Sequence, residues 1–218
     1  MTPAVPRREA GQTLPIYLTV VVGVLFLALA YFAVGQAAVA RDGARSAADA
    51  AALAAAKDAR GQLGEGLLDS LLDPDSWEDL LAGRGFGTTR ACAAAQRFAA
   101  QNDAELHDTD GDGLACRRVD RPDAGFTVEV RSRNPVGDSI VPGTENDHAE
   151  AAATAVLEPR CRLKSPPPGG RPPGGDEKEK KPKLLELRCH GGRDLVLDPE
   201  DEDLFLDPAD LFSVHLTG

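Results

Sequence analysis

The stretch "DTDGDG", residues 108–113, is where this sequence comes nearest to chemistry. Carboxylates at alternate positions, with a glycine at the sixth for the bend, are what a hard cation takes from a short loop. Asp108, Asp110 and Asp112 are therefore candidate calcium ligands, with the Leu114 carbonyl as a backbone donor. The twelfth position, where an EF-hand carries a bidentate Glu, is Val119, so such a site is open on one side. The bland alternative is an acidic turn between a helix and a strand. Four cysteines, Cys92, Cys116, Cys161 and Cys189, include no CxxC pair. That even count suits disulfides in an oxidising space better than zinc. Three pairings are open. The simplest joins neighbours, Cys92 with Cys116 and Cys161 with Cys189, each loop closure contributing about 3–4 kcal/mol. Catalysis has little to stand on. His107, His148, His190 and His215 are scattered without metal-ligand spacing. Adjacent strand residues such as Cys189 and His190 point to opposite faces, and Ser139 and Ser213 lie in no nucleophile elbow. The expectation is a protein that is not an enzyme and needs no cofactor, calcium excepted.

The elements that must hold these residues begin with a contrast. From Gly11 to Ala40 there is no charged residue, and Leu14 to Val39 supplies 26 positions with only Thr19 and Gln36 clearly polar. About 20 apolar residues span a bilayer core, whereas a cleavable signal peptide has an apolar region of about 7–15. The run predicts an uncleaved single-pass helix over 14–40, preceded by a cytoplasmic tail, 1–13. Lys and Arg counted near the span, Arg7 and Arg8 before it against Arg41, Arg45, Lys57 and Arg60 after it, do not favour a cytoplasmic N-terminus. The cysteines, all after the span, do favour it, and Asp42, Asp49 and Asp58 accompany the basic residues there. The N-terminus is placed in the cytoplasm and the bulk outside.

Beyond residue 40 there are 22 Lys and Arg against 34 Asp and Glu, a net charge of −12. Such a body repels phosphate backbones and anionic lipid headgroups, which disfavours nucleic acid as a partner and disfavours lying flat on a membrane. Ten alanines in 41–60 extend the helix to about Arg60, where Gly61, Gly64 and Gly66 are expected to stop it. Ala44, Ala48, Ala51 and Ala55 recur along one face that another helix can approach closely. Residues 61–218 are expected to form an extracytoplasmic α+β domain with an antiparallel sheet. Within it "EGLLDSLLD" and "TTRACAAAQRFAAQN", capped by Thr88 or Thr89, read as helices, and so does "ENDHAEAAATAVLE", 145–158. "FTVEVRS", "LLELRCH", "DLVLD" and the closing "ADLFSVHLTG" read as strands. The Pro/Gly-rich and charged stretch 164–183 has nothing to bury and is expected to be a disordered loop.

Two resemblances follow from these residues. "DTDGDGLAC" resembles the calcium-loop core of the excalibur family of small extracellular modules, which implies an anchored calcium-binding module as one function. Where that family carries Glu after the cysteine, this chain has Arg117. More of the chain, residues 8–60, resembles the N-terminal segment of the TadE/TadG-like proteins of Flp (tight adherence) pilus assembly. A glycine near the membrane entry, one apolar helix and the continuation "ADAAALAAA" carry that likeness. It implies a membrane-anchored accessory or pilin-like component of a Tad-type system, acting by helix packing and protein–protein contacts. Its implied partners are the bilayer, other pilus-assembly or secretion-system membrane proteins, and a further copy of itself. Some relatives are cut after a glycine in a G-xxxx-E-Y pattern. Here Gly11 and Gln12 would flank the cut and Tyr17 is in place, but Ile16 stands where the glutamate belongs. The chain is therefore expected to stay uncut. Intact-mass measurement of the membrane fraction should find the full 22.9 kDa chain, and a species beginning at Gln12 would contradict this.

Overall fold

The apolar run and the alanine stretch form one uninterrupted helix, α1 (Thr13–Asp69), of 57 residues. At 1.5 Å per residue it is about 85 Å long. The computed structural model describes residues 13–70, 74–120, 123–135, 146–164, 185–198, 201 and 206–217. The chain continues through α2 (Pro74–Leu81), α3 (Thr88–Gln101), β1 (Ala104–Leu106), β2 (Cys116–Val119), β3 (Ala124–Pro135), β4 (His148–Pro159), β5 (Cys161–Leu163), β6 (Leu185–Cys189), β7 (Asp194–Leu197), α4 (Pro208–Leu211) and β8 (Phe212–Thr217). The α+β class is as the residue patterns imply. The expected disordered loop falls, after Lys164, outside the described residues, as do Gly11 and Gln12.

Every strand pairing is antiparallel. The main sheet runs β1-β3-β4-β8, and β2 also pairs with β3. β1 and β2 therefore lie end to end along the same edge of β3, opposite Val130–Ser132 and Gly125–Val128 respectively. The loop between them, 107–115, sits over Glu129. A second sheet, β5-β6-β7, holds the paired Cys161 and Cys189.

The upper half of α1 is the centre of the domain. Ala47, Ala48, Ala51, Ala52, Ala55, Ala56, Ala59, Leu63 and Leu67 are completely buried, packed with α3 and with the inward residues Phe126, Val128 and Val130 of β3. The alanine extension is thus core rather than a spacer below a separate domain. Methyl side chains are required because three layers meet there. α3 brings Ala91, Ala95 and Ala99 to the same core, and β4 brings Ala151, Ala153 and Ala155.

Two expectations are corrected by this packing. The stretch 145–158 is not a helix; from His148 it is strand β4, paired along most of its length with β3 and at its far end with β8. Alanine's helix propensity is a weak prior. Pairing on both edges, with small side chains under α1, outweighs it. Nor do Gly61, Gly64 and Gly66 end α1. They permit close approach: a Cβ at Gly64 would overlap the Pro208 ring, and one at Gly66 would lie 3.3 Å from Leu80. α1 ends a turn later, where the buried Trp77 of α2 donates its indole N–H to the Ser70 carbonyl at 2.8 Å. The α3 N-terminus is also not capped by a threonine. Its N-cap is Gly87, which receives no cap bond of its own. Instead Gln62 of α1 accepts from the Gly87 N–H at 2.8 Å and donates to the Gly87 carbonyl at 3.2 Å.

These roles separate two glycines of the same helix. Gly61 has open space around a built Cβ, so Gly61→Ala should raise stability by about 1 kcal/mol through helix propensity alone. Gly64→Ala carries the same propensity gain but should lower the melting temperature, because α4 must move. Thermal unfolding of both variants checks this, and two equal upward shifts would contradict it.

Candidate functional site

Among the described residues, the lower half of α1 is bare over most of its length. Large apolar side chains from Leu14 to Val39 are exposed, Tyr17 and Val39 by 73% each. Its best window has a mean hydropathy of 2.5 and is unburied, so this one helix, among the described residues, is long and apolar enough to cross a membrane. Its polar hydroxyl is dealt with locally: Thr19 Oγ1 donates to the Pro15 carbonyl at 2.8 Å. Buried positions begin abruptly at Ala44. Ala44, Ala48, Ala51 and Ala55, expected to receive a second helix, are all buried by this chain itself. The face is filled from within, with α3 of the same chain as the approaching helix.

α3 is fastened to α1 by more than alanines. Arg90 of α3 meets Glu65 at 2.9 Å and Asp58 at 3.9 Å, and Asp58 also accepts from Gln62 Nε2 of the same helix at 2.7 Å. A disulfide joins Cys92 of α3 to Cys116 of β2, and a second joins Cys161 to Cys189. On the inward face of the sheet, Arg118 of β2, opposite Phe126, lies over the Phe86 ring at 4.0 Å.

The Asp-rich loop is built from within as well. Asp108 accepts from the backbone N–H groups of Gly111 at 2.8 Å, Asp112 at 3.2 Å and Gly113 at 2.7 Å. Asp112 accepts from the Leu114 N–H at 2.8 Å. Beneath them Glu129, buried on the outward face of β3, accepts from the Thr109 and Asp110 N–H groups at 2.9 and 3.3 Å. Arg117 completes the cluster, 2.6 Å from Glu129, 3.2 Å from Asp112 and 3.5 Å from Asp110. Burial pushes the Glu129 carboxyl up, but the two N–H donors and Arg117 outweigh it and hold its pKa below the usual 4.5. The Arg117 pKa is raised, chiefly by its hydrogen bond to Glu129.

The donors of this loop are engaged within the chain. Asp108 already takes three N–H donors, and a guanidinium occupies the space shared by the other carboxylates. Among the described residues no group of three or more His, Cys, Asp or Glu side chains is placed to hold a metal ion. Glu129 and Gln62 were invisible in the sequence. A single Glu in an alternating strand has the pattern of a solvent-facing residue, and only Arg117, in place of the expected Glu, signalled an internal cation. The histidines stay apart: His107 meets Glu150 at 3.4 Å, and His148 meets the Ser132 carbonyl at 2.7 Å.

Residues 11–58 match the family model described as "Tad: Putative Flp pilus-assembly TadE/G-like", the family whose N-terminal segment these residues resemble. The match takes in the bare shaft of α1 and the first half of its buried length. No curated protein and no solved structure matches the chain.

The loop's self-contained charge balance has a measurable consequence. Removing Arg117 leaves a buried carboxylate with only two donors, so Arg117→Ala should cost about 1.5–3 kcal/mol. Because the folded Glu129 pKa is lowered, its contribution is complete above the unfolded value near 4.5 and is lost as pH falls through the folded value. Glu129→Gln should therefore weaken the protein at neutral pH and flatten this part of its acid unfolding. Calcium should leave the melting temperature unchanged; a clear rise would contradict the reading.

Proposed function

We propose that this chain is a membrane-anchored accessory or pilin-like component of a Tad-type pilus assembly or secretion system. On this reading its N-terminus is cytoplasmic and its disulfide-bonded domain lies outside the membrane. The observation that carries it is the coincidence of the family match, residues 11–58, with a helix that is bare over its apolar half and buried over its alanine half. The matching family is one of pilus-assembly proteins, not of enzymes. Two disulfides support an oxidising compartment for the domain.

The mechanism follows from rigidity. A helix shared by the anchor and the core carries any force on the domain directly into the shaft. The buried alanines leave the exposed run Leu14–Val39 as the surface through which α1 meets other spanning helices, where van der Waals packing drives association. Contacts outside the membrane fall to the acidic surface of the domain. Catalysis has no part in this reading, and neither does nucleic acid.

Deletion of the gene should abolish surface pili or the corresponding adherence, and the wild-type chain should restore it. A chain whose Leu14–Val39 segment is exchanged for an unrelated spanning helix should restore membrane location without restoring assembly. Unaltered piliation in the deletion strain would overturn the proposal.

A further inference from the structure

The domain ends where the bilayer begins. The apolar run closes at Val39 and the first buried residue of the domain is Ala44. Those few residues rise about 7 Å along the helix. The headgroup layer of one leaflet, the difference between a core of about 30 Å and a whole bilayer of about 40–45 Å, is about 5–7 Å thick. No spacer separates the base of the domain from the lipid surface.

At this level the structure has a cleft of about 900 Å³. One wall is the shaft of α1, with Tyr31, Phe32 and Val39; the other is the base of the domain, with Asn102, Ser132 and Asn134. Apart from Gln36 the shaft wall is apolar, and it is continuous with the membrane-crossing run. The domain wall also includes Asp103. Asn102 Nδ2 donates to the Phe98 carbonyl at 2.8 Å. Ser132 Oγ accepts from the Ala149 N–H at 3.0 Å and donates to the Asn134 carbonyl at 2.8 Å, and the Asp103 carbonyl accepts from the Arg133 N–H at 2.8 Å. Although the domain is acidic, exposed Arg41, Arg45 and Arg133 lie at this end with Asp42 and Asp103, so the base does not share the strong negative charge of the whole.

We propose that this cleft is a lipid site: a phospholipid headgroup lies at the Asn134 end of the domain wall with its acyl chain along Tyr31 and Phe32. The inference rests on the anchored reading of α1. Lipid is the occupant because the cleft opens on the same apolar surface that the bilayer must cover, at the depth where apolar chains give way to polar headgroups. A protein partner would have to enter beneath the domain at that same depth. The acidic body meets the membrane at this base, which agrees with its reluctance to lie flat.

Full-length protein in vesicles of phosphatidylcholine and phosphatidylglycerol provides the test. Single cysteines are introduced by Phe26→Cys, Asn134→Cys and, at the far end of the domain, Ala82→Cys, and each carries an environment-sensitive fluorophore. Nitroxide on lipid headgroups should remove most of the Asn134 emission and little of the Ala82 emission, while acyl-chain bromines quench Phe26. If Asn134 is as open to aqueous iodide as Ala82 while Phe26 is quenched by lipid, the anchor stands and the lipid site is overturned. Shielding of Asn134 from both iodide and lipid quenchers would indicate a protein occupant and overturn it equally. An unquenched Phe26 would remove the anchored reading and this inference together.

Discussion

A single backbone has to be satisfied in two solvents. In hydrocarbon no water is present to bond peptide groups, so the segment from Leu14 to Val39 must close its hydrogen bonds internally, and a helix does this. The same i to i−4 bonding continues without a joint to Asp69. What changes along α1 is the side chain. Leu, Val, Phe and Tyr face outward in the lower half; alanine fills the upper half, where α3 and the sheet close in. The domain is built around the top of its own anchor.

That arrangement fixes the geometry of everything else. A domain folded about its anchor cannot swing as one joined by a linker can. Gln62, Asp58 and Glu65 hold α3 to α1 along the buried length, and the disulfide to Cys116 extends that hold to the sheet. The Asp-rich loop follows from the same economy of parts. β1 and β2 leave a gap along β3, and the loop that bridges it closes over Glu129 with Arg117 as the cation. A pilus-assembly role, as proposed, uses such a body as a rigid extension of the membrane helix.

Much of this was legible in the residues, and the misses have a common cause. Period-2 alternation gave β3 and β8, and the charge-free run gave the spanning half of α1. Alanine concealed part of the rest. In "HAEAAATAVLE" the outward residues Glu150 and Thr154 alternate with the inward Ala149, Ala151, Ala153 and Ala155, a strand pattern concealed by residues that also favour helices. The alanine face of α1 signalled close packing correctly, yet periodicity cannot say whether the neighbour belongs to the same chain. Gly64 has the same ambiguity, since a glycine that ends a helix and one that admits Pro208 are identical in sequence. In the Asp-rich loop, spacing does not show which oxygens are bonded to backbone N–H groups; here Asp108 takes three of them.

The account depends on α1 crossing from lipid into the domain as one unbroken helix. Hydrogen exchange of the full chain in lipid discs, read peptide by peptide, tests this most directly. Amides on both sides of the boundary, including residues 40–46, should exchange as slowly as those of the neighbouring helix. Fast exchange confined to 40–46, the behaviour of a hinge between a separate anchor and a separate domain, would contradict it.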